Sequence, residues 1–144
     1  MAGALATGLD TVEEIRVRVG CFDAAASGPL AVPYALDTLL DELAFSPMAW
    51  RGGKAVALEP MSERETIEFP PPVGSMTAFA TLHSEVAMFP RSFPGLREAS
   101  FKVAFPPLLV DRLSTLIELG FASAEPAVGE ISPRTMLRLS LIHI

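Results

Sequence analysis

Hydrophobic and polar residues alternate between Glu14 and Val19, with Ile15, Val17 and Val19 on one side and Glu14, Arg16 and Arg18 on the other. This period of two predicts a strand with one buried and one polar face. In YALDTLLDEL the period changes. The leucines at 36, 39, 40 and 43 share one helical face, while Asp37, Asp41 and Glu42 fall elsewhere, which predicts an amphipathic helix. SPMAWRGGKAVALEP reads as a hairpin, because Gly52 and Gly53 supply the positive φ values of a tight turn between two β-prone runs. RETIEF is a further short strand. The run Pro70 to Pro72 then forces an extended link to SMTAFATLHS, a strand on which Thr77, Phe79, Thr81 and His83 share a face. In REASFKVAF, Phe101, Val103 and Phe105 lie opposite Ser100, Lys102 and Ala104. Pro106 and Pro107 open a helix with Leu109, Leu113, Leu116 and Ile117 on one face and Gly120 at its C-terminal end. Ser132 and Pro133 mark the N-cap and first turn of a last helix, PRTMLRLS.

Strands separated by single helices, with hairpin chemistry in the middle, predict an α+β domain: a mixed or antiparallel sheet covered by helices on one face. The other face must meet solvent or a partner. Arg16, Arg18, Thr77, Thr81, His83 and Lys102 are expected to line it, as solvated surface or as a cleft.

Composition narrows the function classes. With 144 residues, half of them hydrophobic, the chain is long enough for one sizeable core. Its net charge is −6, and its 11 basic residues form no stripe, so the footprint of a nucleic-acid binder is missing. Cys21 is the single cysteine. It excludes an internal disulfide framework and a multi-cysteine zinc site, and it fits a reducing, cytoplasmic setting. Charge-free runs such as AAASGPLAVPYAL are too short and too rich in proline and glycine to span a bilayer, so no membrane partner is expected.

The stretch TLHSEVAMFPRSFPG concentrates the chemistry. His83 is expected to end a strand, Glu85 to follow in a tight turn, and Arg91 to sit on a loop between two prolines, so that all three reach the space above a sheet edge. The bland alternative is a Glu85–Arg91 ion pair pinning the loop, with His83 bonded to backbone. A metal site fails on inventory, since there are two histidines and the second, His143, lies at the C-terminal end. Neither Ser84 nor Cys21 has the context of a catalytic nucleophile, and no glycine-rich phosphate motif occurs.

In order along the chain, IRVRVG, YALDTLLDEL, the WRGGK hairpin, ETIEFPPPVG, TLHSEVAMFPRSF and ASFKVAFPP resemble the C-terminal half of the saccharopine dehydrogenase-like oxidoreductases, from about Val12 to Phe121. This group includes saccharopine reductases, lysine 6-dehydrogenases and carboxynorspermidine dehydrogenases. The resemblance implies a two-domain enzyme, of which this chain is the substrate and dimerisation part, lacking its Rossmann domain. NAD or NADP would be bound mainly by that missing domain, with no metal, and the protein would form a homodimer. Its substrate would be an amino acid or polyamine derivative oxidised or reduced at the carbon bearing the amine. On the matching positions, His83 is the candidate proton shuttle or hydrogen-bond donor, and Glu85 orients it or binds the amine. Arg91 is the candidate carboxylate clamp, with Lys102 and Ser84 as further substrate contacts. The alternative is a noncatalytic α+β interaction or dimerisation domain, and an upstream G-x-G-x-x-G would decide between the two. The isolated chain is expected to be inactive and to bind no NAD(P).

Both ends suggest a piece of something longer. Residues 1–11 read as a remnant of the link from the missing nucleotide domain, 12–138 as the substrate and dimerisation domain, truncated, and 139–144 as a tail. That tail, LSLIHI, is what a transposon-end sequencing adapter encodes when translated in one frame. Leu141, Ile142 and Ile144 would then have been selected for no packing partner, and His143 would carry no functional weight.

Overall fold

The computed structural model describes residues 6–22 and 30–142. In chain order the elements are β1 (Glu14–Gly20), α1 (Leu36–Ala44), β2 (Met48–Arg51), β3 (Lys54–Ala57), β4 (Glu65–Phe69), β5 (Gly74–Ala80), α2 (Glu85–Ser92), β6 (Glu98–Ala104), α3 (Pro107–Glu118) and α4 (Pro133–Ile142). The α+β class and the mixed sheet are as the alternation predicts. β6 is central. β1 runs parallel to it in full register, from Glu14 opposite Glu98 to Gly20 opposite Ala104. The other side of β6 is shared by β2 near Ala99 and by β5 near Lys102 and Val103, both antiparallel. The order β3-β2-β6-β5-β4 completes the six strands. The WRGGK hairpin forms as predicted, with Gly52 and Gly53 at φ 55 and 77 in its turn.

One side of the sheet carries the core. Ile15, Phe79, Ala99, Phe101, Val103 and Phe105 pack against Leu36, Leu39, Leu40 and Leu43 of α1, Val86 and Phe89 of α2, and Leu109 and Leu113 of α3. These are the apolar positions that periods of two and 3.6 place together. α4 is capped as expected, Ser132 Oγ accepting the Thr135 N–H at 3.2 Å. It docks through buried Leu137 and an Arg134–Asp41 ion pair at 2.7 Å. Leu141 of the terminal hexapeptide packs against the core; residues 143 and 144 lie outside the described residues.

The other side is partly roofed. The β4–β5 hairpin curls over it until Phe69 and Val73 meet Gly20, where an added Cβ would lie 2.9 Å from Val73 Cγ1 and 3.1 Å from Phe69 Cδ1. The six polar residues expected to line this side do not share it. Arg16, Arg18 and Lys102 border one recess there, Thr77 borders a different recess beside α3, Thr81 is fully buried, and His83 lies on the helical side. No helix among the described residues is long and apolar enough to cross a membrane.

Candidate functional site

β5 ends at Ala80, short of the predicted strand, and Thr81 to His83 leave the sheet across its end. The Leu82 N–H donates to the Glu42 carbonyl at 3.2 Å, tying this crossing to α1. The chain then enters α2. The expected turn and loop from Glu85 to Ser92 are therefore corrected to a two-turn helix, with Pro90 inside it. Val86 and Phe89, three residues apart, bury one face and hold it down.

This local path brings His83 and Glu85 together over the core. The His83 ring stacks on Phe101 at 3.8 Å between centroids, with planes 10° apart. The Glu85 N–H faces His83 Nδ1 at 3.4 Å. Beside them opens a pocket of about 660 Å³. Its walls are mainly apolar, from Ile15, Val17, Val19, Phe93, Phe101 and Val103, and its polar groups include His83, Glu85, Tyr34 and Glu42.

Tyr34 and Glu42 are not singled out by the sequence motif, and the structure places both on the border of this pocket. The Tyr34 hydroxyl donates to Glu42 Oε2. Burial, then the hydrogen bond and charge of Glu42, push that hydroxyl well above the ordinary tyrosine range. Nearby, burial and then the Glu42 charge also raise the Cys21 thiol, which favours the unreactive protonated form. A signal for the pair was present: Tyr34 is the single tyrosine, and Glu42 falls about 60° around the helix from Leu39, at the border of the apolar face.

Glu14, Arg16 and Arg18 also border the pocket, and both guanidinium groups are already paired with carboxylates. Arg16 pairs with Glu14 at 2.5 Å. Arg18 pairs with Glu65 and donates to Ser100 Oγ at 3.1 Å and to the Val17 carbonyl at 2.9 Å. Glu42 and Glu85 have no ion pair among the described residues. The local balance is therefore negative.

The remaining candidates lie apart from this pocket. Ser84 is exposed just before α2 and makes no side-chain cap. Arg91 is exposed in the last turn of α2, and no Glu85–Arg91 ion pair forms among the described residues. Lys102 sits on the opposite face of the sheet, 6% exposed, with its Nζ 3.4 Å from Glu65 and 3.8 Å from Glu63. Arg51 bonds Glu63 at 2.9 and 3.0 Å, so these charges form one network bordering a recess of about 310 Å³. Burial pushes the Glu65 carboxyl up, but the hydrogen bond and charge of Arg18, with Lys102, outweigh it and hold the group below the usual carboxylate range.

Among the described residues no grouping of three or more histidine, cysteine or carboxylate side chains is arranged to hold a metal. The residues preceding the four helices among the described residues are Ala35, Ser84, Pro106 and Ser132, and none of these lies in a glycine-rich turn that would cradle a dinucleotide pyrophosphate.

No family model matches the chain, and no curated protein matches it. A solved structure does: apo histidine-tagged saccharopine dehydrogenase (L-Glu forming) from Saccharomyces cerevisiae, with a TM-score of 0.56 and 13% identity. The match covers 78% of this chain and 27% of the yeast protein, so the chain spans about a quarter of its length. At that identity the likeness concerns architecture: the chain has a saccharopine dehydrogenase-like domain fold.

Proposed function

We propose that this chain is the substrate-binding and dimerisation part of an NAD(P)-dependent oxidoreductase acting at the amine-bearing carbon of an amino acid or polyamine derivative, of the saccharopine, lysine or carboxynorspermidine class. One observation carries the reading: in this fold, His83 and Glu85 converge on a single pocket of about 660 Å³ with an apolar floor. An apolar pocket with a few convergent polar groups is the usual form of a small-molecule site. Among the described residues no helix begins in a glycine-rich turn, and in this reading NAD(P) is bound by a companion Rossmann domain, which would supply hydride exchange.

What this chain supplies is position and proton management. With Nδ1 facing the Glu85 N–H, neutral His83 carries its proton on Nε2, from which it donates to a substrate heteroatom or relays a proton. Stacking on Phe101 fixes the plane in which that donor points. Glu85 orients His83 through its N–H and borders the same pocket. Arg91 and Lys102 lie outside the pocket, so a substrate carboxylate bound here is not held by either.

The test is to recover the longer gene, express the two-domain protein and assay NAD(P)-dependent turnover of saccharopine, lysine and carboxynorspermidine. Turnover of one of them, with kcat reduced in His83→Ala, supports the reading. A full-length protein that binds NAD(P) and turns over none of them contradicts it.

A further inference from the structure

Glu42 is held by one partner and faces a pocket with room for another. Tyr34 donates to its Oε2, leaving Oε1 with no hydrogen bond among the described residues. Glu85, exposed, borders the same pocket with no ion pair among the described residues, while the guanidinium groups of Arg16 and Arg18 are engaged with Glu14, also on the border, and with Glu65. A carboxylate against apolar walls is stabilised by a cation that hydrogen-bonds it and destabilised by a second anion. The walls, Val17, Val19, Phe101 and Val103, offer aliphatic and aromatic contact but no further charge.

We infer that Tyr34 and Glu42 are the specificity-determining pair of this pocket: Glu42, held in place by Tyr34, receives the ammonium of a ligand whose apolar stem lies along Val17, Val19 and Val103. The inference rests on reading this pocket as the substrate site, and it adds which groups choose the ligand. Tyr34 is the positioning residue. Its hydroxyl stays protonated and fixes one carboxylate oxygen, so the other points at the ligand without an entropic penalty on binding.

The probe is hexylamine, protonated at neutral pH, titrated into the 144-residue chain and followed by amide NMR, with hexanoate in parallel. Hexylammonium should shift the Val17, Val19 and His83 resonances saturably in the millimolar range, and hexanoate should not. Glu42→Gln keeps the shape and removes the charge, and should weaken hexylammonium binding about tenfold or more; Tyr34→Phe should weaken it about threefold. Saturable binding of hexanoate as tight as that of hexylammonium would overturn the inference. So would an affinity unchanged in both Glu42→Gln and Tyr34→Phe, or no saturable hexylammonium binding at tens of millimolar. Because Tyr34→Phe is tested as well, a Glu42→Gln chain that failed to fold would leave the question answerable. No turnover is involved, so the pair can fail here while dehydrogenase activity stands, or hold while that activity is absent.

Discussion

The imidazole of His83 lies flat on the ring of Phe101, 3.8 Å away and 10° from parallel. Phe101 is a core residue of the central strand, only 8% exposed, so the histidine is mounted on the most constrained part of the sheet although its own segment has no regular structure. Phe101→Leu keeps an apolar side chain of similar size but removes the stacking surface. The expected cost is about 1.5 kcal/mol in urea denaturation, with His83 ring signals broadened by greater mobility. Wild-type stability together with unchanged His83 signals would show that the ring does not hold the imidazole.

Gly20 is required by packing rather than by backbone conformation. A Cβ there would stand 2.9 Å from Val73 Cγ1 and 3.1 Å from two ring carbons of Phe69, which belong to the hairpin that roofs the second face. Gly20→Ala should therefore destabilise by roughly 1–3 kcal/mol. Val73→Ala made in the Gly20→Ala background should recover part of the loss, a coupling that a double-mutant cycle reads directly. Additive effects of the two substitutions would mean that the hairpin does not rest on Gly20.

Which parts of this structure were visible in the sequence follows from how local their causes are. Leu36, Leu39, Leu40 and Leu43 announce α1 because every turn of that helix repeats the same face, and all four are buried. Phe101, Val103 and Phe105 announce β6 in the same way. α2 was missed because two turns leave room for one pair of apolar contacts, Val86 and Phe89, and because Pro90 argues against a helix it does not prevent. The parallel pairing of β1 with β6 joins residues 14–20 to 98–104, and alternation within a strand carries no record of its partner. At the pocket, the motif places His83 and Glu85 two residues apart, and the structure sets both on its border. Tyr34 and Glu42 come to it only through the docking of α1, a long-range event with no local signature.

Arg91 tests the corrected helix. It stands six positions after Glu85, which places the two about 120° apart around α2 rather than one above the other. With no ion pair to lose among the described residues, Arg91→Ala should change stability by less than about 0.5 kcal/mol. A loss of 1 kcal/mol or more, by urea denaturation, would restore the picture of an arginine pinning this segment.

The last expectation concerns acid. Glu65 accepts a hydrogen bond from Arg18 and stands 3.4 Å from Lys102 Nζ, whose side chain is almost wholly buried beneath it. Burial opposes its ionisation, but the two cations outweigh burial and hold its carboxyl below the usual value near 4.5. A carboxyl held lower in the folded chain than in the unfolded one binds fewer protons when folded. Its contribution is therefore complete above the unfolded value and disappears as pH falls through the lowered folded value. Glu65→Gln removes this dependence. At pH 7 the variant should be less stable than wild type by about 1 kcal/mol, a modest figure because 38% of the Glu65 side chain is exposed and water screens the pair. At about pH 3, in the same urea titration, the gap should narrow, because below the unfolded value the unfolded chain takes up a proton at Glu65 that the folded chain binds less readily, which favours unfolding of the wild type but not of the glutamine variant. Lys102→Met should behave differently. It also takes the partner from Glu63, 3.8 Å away, so its effect should exceed that of Glu65→Gln at neutral pH. A stability gap between wild type and Glu65→Gln that stays the same at pH 7 and pH 3 would mean that Arg18 and Lys102 do not stabilise the Glu65 carboxylate in the folded chain.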